Sequence, residues 1–218
     1  MSAETAAGST PRRRASFAPY HRWDRNFFLT VVAIIWFGIV FGFGRDLIRH
    51  FGAPHVPYPF IVHIHAVAFA GWLSVLTAQV YLIRTSRLNI HRKLGTAAMA
   101  LAAIMVVLGP LTAIAMQRAR LGTSESDPSF LSAQLLSIIA FAALAIAAFA
   151  LRDNSSAHKR LIVMATLAIS DAGFARLLGG SVHAMLGGGF LASLAGIYLG
   201  SDVLAGGLGI YDIVTRQR

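Results

Sequence analysis

Six apolar runs, each about as long as a bilayer is thick, dominate this sequence: 27–44, 59–83, 94–116, 130–151, 160–178 and 187–211. A helix needs roughly 20 mostly apolar residues to cross the hydrocarbon. The runs therefore predict an all-α fold, a polytopic transmembrane helical bundle of about six spans. The fifth run carries Asp171 and Arg176 and the sixth is rich in glycine, which sets both apart from the first four. Hydrophobic residues make up 56% of the 218 positions and charged ones 13%, unlike a soluble domain. The runs leave no room for one. Residues 1–26, polar and basic with Pro11 and Pro19, read as a disordered cytoplasmic tail, and 27–218 as the transmembrane domain. The first run starts late and no small-residue cleavage site follows it, so it reads as a retained span rather than a signal peptide.

The charge pattern orients these spans. With the N-terminus in the cytoplasm, fourteen of the 19 Lys and Arg residues fall on the inner side. The other five are Arg45, Arg49, Arg118, Arg120 and Arg176. The positive-inside rule accounts for this bias and for the net charge of +10. No nucleic-acid partner is needed; the lipid bilayer, with anionic lipid on one side, suffices. An even number of spans then puts both termini in the cytoplasm of a bacterial inner membrane. Tyr20, Trp23, Tyr58, Tyr81 and Tyr211 fall near the boundaries, as an aromatic belt does. The absence of cysteine excludes disulfides, thiolate metal sites and covalent c-type haem attachment.

Two tetrapeptides punctuate the chain: His91-Arg92-Lys93-Leu94 and His158-Lys159-Arg160-Leu161. Each opens an apolar run, and each follows a run that closes in arginine, at Arg84 and Arg152. Phe60 to His91 matches Phe130 to His158, which suggests a duplicated hairpin of the kind membrane folds build from parallel repeats. Loops are expected at 45–58, 84–93 and 117–129, with Asp127 or Ser129 capping the fourth helix. Pro110 is expected to kink the third. Gly189, Gly196 and Gly200 fall near one face of the sixth, where glycine lets a neighbouring helix approach. Gly206, Gly207 and Gly209 are expected to soften its end.

The second span carries the clearest polar stripe. His65, Trp72 and Gln79 recur every seven residues and share a face, and such a stripe faces the protein because lipid cannot satisfy it. His63 points to nearly the opposite side. His65 lies roughly 9 Å inside the outer boundary at the helical rise, and His183 is expected between spans five and six. Two candidate axial pairs for a b-type haem follow, His65 with His183 on the outer side and His91 with His158 on the inner side. Arg176 is placed to meet propionates at the outer slot, and Arg92, Lys93, Lys159 and Arg160 at the inner one. The same basic residues equally suit lipid phosphates. Asp171 and Arg176, about 140° apart around one helix, are charges inside a span and so mark either function or a structural ion pair. The dense histidine and carboxylate clusters of a di-iron enzyme are missing, the glycines near 187 lack the strand of a nucleotide loop, and no Ser/His/Asp set is visible.

These motifs resemble a group of uncharacterised bacterial multi-pass membrane proteins. The likeness rests on His65-Ala66 with Phe69 and Trp72, then Gln79, then His91-Arg92-x-Leu94-Gly95, then His158-Lys159-Arg160-Leu161. It spans roughly 27 to 180 and implies an architecture rather than an activity. A more distant likeness is to membrane b-type cytochromes, from which this chain departs by lacking two well-buried histidines on one helix. Three functions stand at this point. The first is haem-linked electron transfer; the second is a non-catalytic accessory subunit with a membrane-protein partner or a second copy of itself. The third is transport of a small solute or proton along His65, Gln79, Asp171 and Arg176.

Overall fold

The computed structural model describes residues 20–52, 56–123, 126 and 129–216. Six helices account for nearly all of them: α1 (Asp24–Gly52), α2 (Phe60–Arg84), α3 (Leu88–Arg120), α4 (Ser129–Ala150), α5 (Ser155–Leu186) and α6 (Phe190–Arg216). Each is long and apolar enough to cross a membrane. There is no strand among the described residues. Large apolar side chains such as Phe41, Val67, Ile104, Ile146 and Val203 point outward, the surface a lipid-facing bundle presents.

The helices overrun the apolar stretches that predict them. α1 begins at Asp24, inside the stretch expected to be a tail, and α1 and α3 take up part of the expected loops 45–58 and 117–129. Residues 1–19, Asp127 and the Ser129 side chain lie outside the described residues. α3 runs without a break through Pro110, and α6 continues past Gly206, Gly207 and Gly209 to Arg216. The expected loop 84–93 shrinks to three residues. Ser86 sits there in the left-handed region (φ 59°), and Arg87 N–H closes back on the Leu82 carbonyl at 2.8 Å. Asn154 caps α5 by accepting from Ala157 N–H at 3.2 Å. The α5–α6 turn is three glycines, with Gly187 and Gly189 at positive φ (77° and 148°) that other residues resist.

Helices α1 to α5 pack as a closed ring, α1 on α2, α2 on α3, α3 on α4, α4 on α5 and α5 back on α1, and α6 packs on α5. α5 is thus the hub, touched by α1, α4 and α6. It buries polar groups (Ser156, Arg160, Thr166, Ser170, Asp171) as well as apolar ones, as a helix without a lipid face must. The ring is tied across its middle. Trp72 of α2, 2% exposed, donates its indole N–H to Thr166 Oγ1 of α5 at 3.1 Å and meets Phe141 of α4 edge-on at 5.2 Å. Trp36 of α1 donates to Thr77 of α2 at 2.9 Å.

Two contacts fix α5 against its neighbours. Where α1 crosses it, a Cβ on Gly42 would lie 2.0 Å from the Gly173 carbonyl oxygen. On α6, Gly200 faces the Phe174 ring and Gly196 faces His183, so these glycines serve helix packing. Gly189 precedes α6 and has open space around its Cα. At one end an ionic cluster joins three helices. Asp24 accepts from Lys159 at 2.5 Å, Tyr211 at 2.6 Å and Arg216 at 2.6 Å. Arg160 grips Asp212 with two bonds of 2.6 and 2.7 Å and reaches Ser156 at 2.7 Å. Tyr211 is therefore buried and stacked on Phe27 at 3.9 Å rather than facing the belt, whereas Tyr20, Trp23 and Tyr81 are exposed as the belt requires. The cluster brings Asp24 and Arg216 together, so the two ends of the described bundle share one face.

The crossing of α1 and α5 makes a sharp test. Gly42→Val forces a branched side chain into a backbone carbonyl and should cost about 1–3 kcal/mol in thermal unfolding in detergent. Gly44→Val, with nothing within 4 Å of its Cβ position, should leave the midpoint unchanged.

Candidate ligand cavity

At the basic end of the ring the helices part and line a half-open cavity of about 1070 Å³, at the upper limit of ordinary small-molecule sites. Trp72, Leu76, Phe28 and Val163 line it on the bundle side. Toward the end of the bundle its lining becomes cationic, with Arg25, Arg84, Arg92, Arg152 and Lys159. Three of these are already committed. Arg25 donates to the Arg84 carbonyl at 3.1 Å, Arg84 donates back to the Arg25 carbonyl, and the pair clamps α1 to α2. Lys159 is held by Asp24 and lies 4.8 Å over the Phe28 ring. Arg92 and Lys93 are exposed at the start of α3.

His91 and His158 both line this cavity. Each is the fourth residue of its helix, and each amide bonds back to the residue before the helix, His91 to Arg87 at 3.1 Å and His158 to Asn154 at 2.9 Å. The two hairpins thus present a histidine at the same structural position. Neither residue lies in a loop, as their polar neighbours suggest; both belong to first helical turns. α3 and α5, which carry them, are not among the helix pairs that pack along each other, and the cavity fills the space between.

The ring nitrogens differ in a useful way. His158 Nδ1 lies 2.8 Å from the Ala148 carbonyl, which can only accept. Nδ1 therefore carries a proton, and in the neutral ring the lone pair lies on Nε2, the tautomer of a metal-ligating imidazole. His91 Nδ1 is buried with no hydrogen-bond partner among the described residues. Gln79 Nε2 donates to the His91 carbonyl at 3.1 Å, which leaves Gln79 Oε1 also buried and unpaired. Two orphaned polar atoms on one cavity wall mark a place where a ligand or water completes the bonding.

The other singled-out residues go elsewhere. Of the stripe on α2, Trp72 and Gln79 reach the cavity and His65 does not. His65 is half-buried near Phe69, its Nδ1 buried and unpaired. His183 belongs to the last turn of α5 rather than to a loop. It is exposed, with Nδ1 2.9 Å from its own helix's Gly179 carbonyl and its ring against Gly196. Neither His65 nor His183 lines the cavity that His91 and His158 share. Asp171 and Arg176 do not pair. Asp171 accepts from Ser137 and Ser201, whereas Arg176 reaches Asp46 of α1 at 3.1 Å and stacks 4.4 Å over Phe43. Tyr58 completes that outer cluster, 3.4 Å from Asp46; its partial burial, then the Asp46 charge, holds its hydroxyl above the usual tyrosine range. It therefore stays a donor.

Sequence reasoning missed Asp24, which structures the rim through Lys159. The available signal was a lone acid in a basic segment, three residues before the first apolar run. Among the described residues no three histidines or carboxylates gather as a metal cluster, so the candidate donors are the His91–His158 pair. No family model matches this chain, and no curated protein or solved structure matches it either.

The cavity floor depends on the bond between Trp72 and Thr166, both fully buried or nearly so. Thr166→Val leaves the indole N–H without an acceptor and should cost about 1–3 kcal/mol in thermal unfolding. Thr166→Ser keeps the acceptor and should cost clearly less.

Proposed function

We propose that this chain is an electron-transfer protein of the bacterial inner membrane that binds a b-type haem in the cavity, with His91 and His158 as axial ligands. The observation that carries the reading is the placement of two histidines, at one equivalent helical position each, around a single cavity. The residues present suit the group. The Ala148 carbonyl holds the His158 proton on Nδ1, so the neutral ring would offer Nε2 to the iron. The walls are apolar where a porphyrin needs them to be, with Trp72, Phe28 and Val163. Cations stand at the basic end, where propionates would emerge. Bound haem would supply a one-electron couple, tuned by its ligands and burial. The chain's own part is to hold the imidazoles in place, through Ala148 for His158 and through Gln79 for the backbone at His91, and to neutralise the acid groups with Arg92 and its neighbours. By the bias of positive charge, the basic end faces the cytoplasm.

A reduced-minus-oxidised visible spectrum of the detergent-purified protein, with a pyridine haemochrome assay, tests this. Wild type should show a b-type signal near one haem per chain. His91→Ala and His158→Ala should each abolish it, and His65→Ala and His183→Ala should keep it. A wild-type protein that stays colourless after incubation with haem would refute the proposal.

A further inference from the structure

A second polar centre lies on α5, apart from the cavity. Asp171 is 7% exposed and sits where α4, α5 and α6 meet. Its carboxyl is approached by Ser137 Oγ of α4 at 3.3 Å and, more closely, by Ser201 Oγ of α6. No cation answers it among the described residues. Arg176, one and a half turns along, is taken by Asp46. Lys159 and Arg160 are taken by Asp24 and Asp212. Asp202, next to Ser201 on α6, adds a second acid, not a base. An ionised carboxylate without a counter-charge in hydrocarbon is strongly disfavoured, and the usual resolution is to take up a proton.

The hydrogen count makes the same point independently. Ser201 Oγ lies within bonding distance of two acceptors, the Asp171 carboxyl and the Tyr198 carbonyl, the latter at 3.0 Å. A hydroxyl has one proton to give. If Asp171 is ionised, both neighbours compete for it. If Asp171 carries a proton, the contacts form one chain: the Tyr198 hydroxyl of α6, which also meets Ser137, donates to Ser137 Oγ, Ser137 donates to one carboxyl oxygen, Asp171 O–H donates to Ser201 Oγ, and Ser201 donates to the Tyr198 carbonyl. Ser170, beside it on α5, adds nothing, because its hydroxyl donates to the Thr166 carbonyl at 2.7 Å.

We infer that Asp171 is an intramembrane proton-binding site, occupied in the resting protein, with Ser201 as the acceptor of its proton and Ser137 as a donor to its carbonyl oxygen. The ligand is the proton itself. This holds whether or not the cavity binds haem, since the two sites share no residue.

A hydrophobic carbodiimide, which attacks protonated carboxyls buried in membranes, tests it on the wild-type protein at neutral pH. Peptide mass analysis should find the adduct on Asp171. Infrared spectra in water and heavy water should show a protonated-carboxyl carbonyl stretch that is deuterium-sensitive and absent in Asp171→Asn. Ser201→Ala should shift that band to higher frequency, as expected when the acid loses its acceptor; a purely structural role for Ser201 would leave it in place. Asp171→Asn, close in shape to the neutral acid, should keep the wild-type unfolding midpoint. Two results would overturn the inference: no adduct together with loss of a carboxylate stretch in Asp171→Asn, or protection of Asp171 from the reagent by sodium ions, which would make the site a cation site instead.

Discussion

Hydrocarbon offers no hydrogen bonds, so every polar group this chain carries into the bilayer has to be answered by another part of the chain. α5 brings the most: Lys159, Arg160, Thr166, Ser170, Asp171 and Arg176 along one helix. Only a position surrounded by other helices lets these be met, and α5 takes it, with α1, α4 and α6 packed around it. Asp24 and Asp212 answer the two cations at one end, Trp72 meets Thr166 in the middle, Ser137 and Ser201 meet Asp171, and Asp46 meets Arg176 at the far end. The glycines of α1, α5 and α6 belong to the same requirement, because donors and acceptors on different helices meet only when the backbones come close.

The cavity is the counterpart of that close packing. Where α1 and α5 touch backbone to backbone, near Gly42 and Gly173, nothing is left open. At the other end α1 is held through long side chains, Lys159 of α5 and Arg216 of α6 reaching Asp24, and α2 is held to α1 through arginine clamps. Long side chains hold helix ends apart. Trp72, bonded across the ring, closes the space from the bundle side. The basic residues at this end thus also frame a chamber, and the two repeated histidines are delivered to it by the first turns of α3 and α5.

Much of this was legible in the sequence, and the rest has a physical reason for being hidden. Hydropathy locates six helices because lipid contact selects for apolar residues, but it places their ends badly. α5 is expected over 160–178 and runs over Ser155–Leu186, since Lys159 before it and His183 after it look like loop residues until the packing is known. His91 and His158 look like loop residues for the same cause. The seven-residue stripe of α2 correctly sends Trp72 and Gln79 inward, because that periodicity is local. His65 continues the stripe but lies above the cavity, and no sequence pattern says how deep a cavity reaches. The role of Asp24 was hidden, since its partners Lys159 and Arg216 stand 135 and 192 residues away. Asp171 stood out as a charge inside a span, but its partners Ser137 and Ser201 did not: one serine in an apolar run carries no signal by itself.

The central claim is that His91 and His158 act as a pair from opposite sides of one cavity. Electron paramagnetic resonance of the oxidised, haem-loaded protein reads axial ligation directly. The account predicts low-spin ferric iron with two imidazole ligands in the wild type, converted to high-spin by His91→Ala or by His158→Ala alone. High-spin iron in the wild type, or a low-spin signal that survives either substitution, would contradict it.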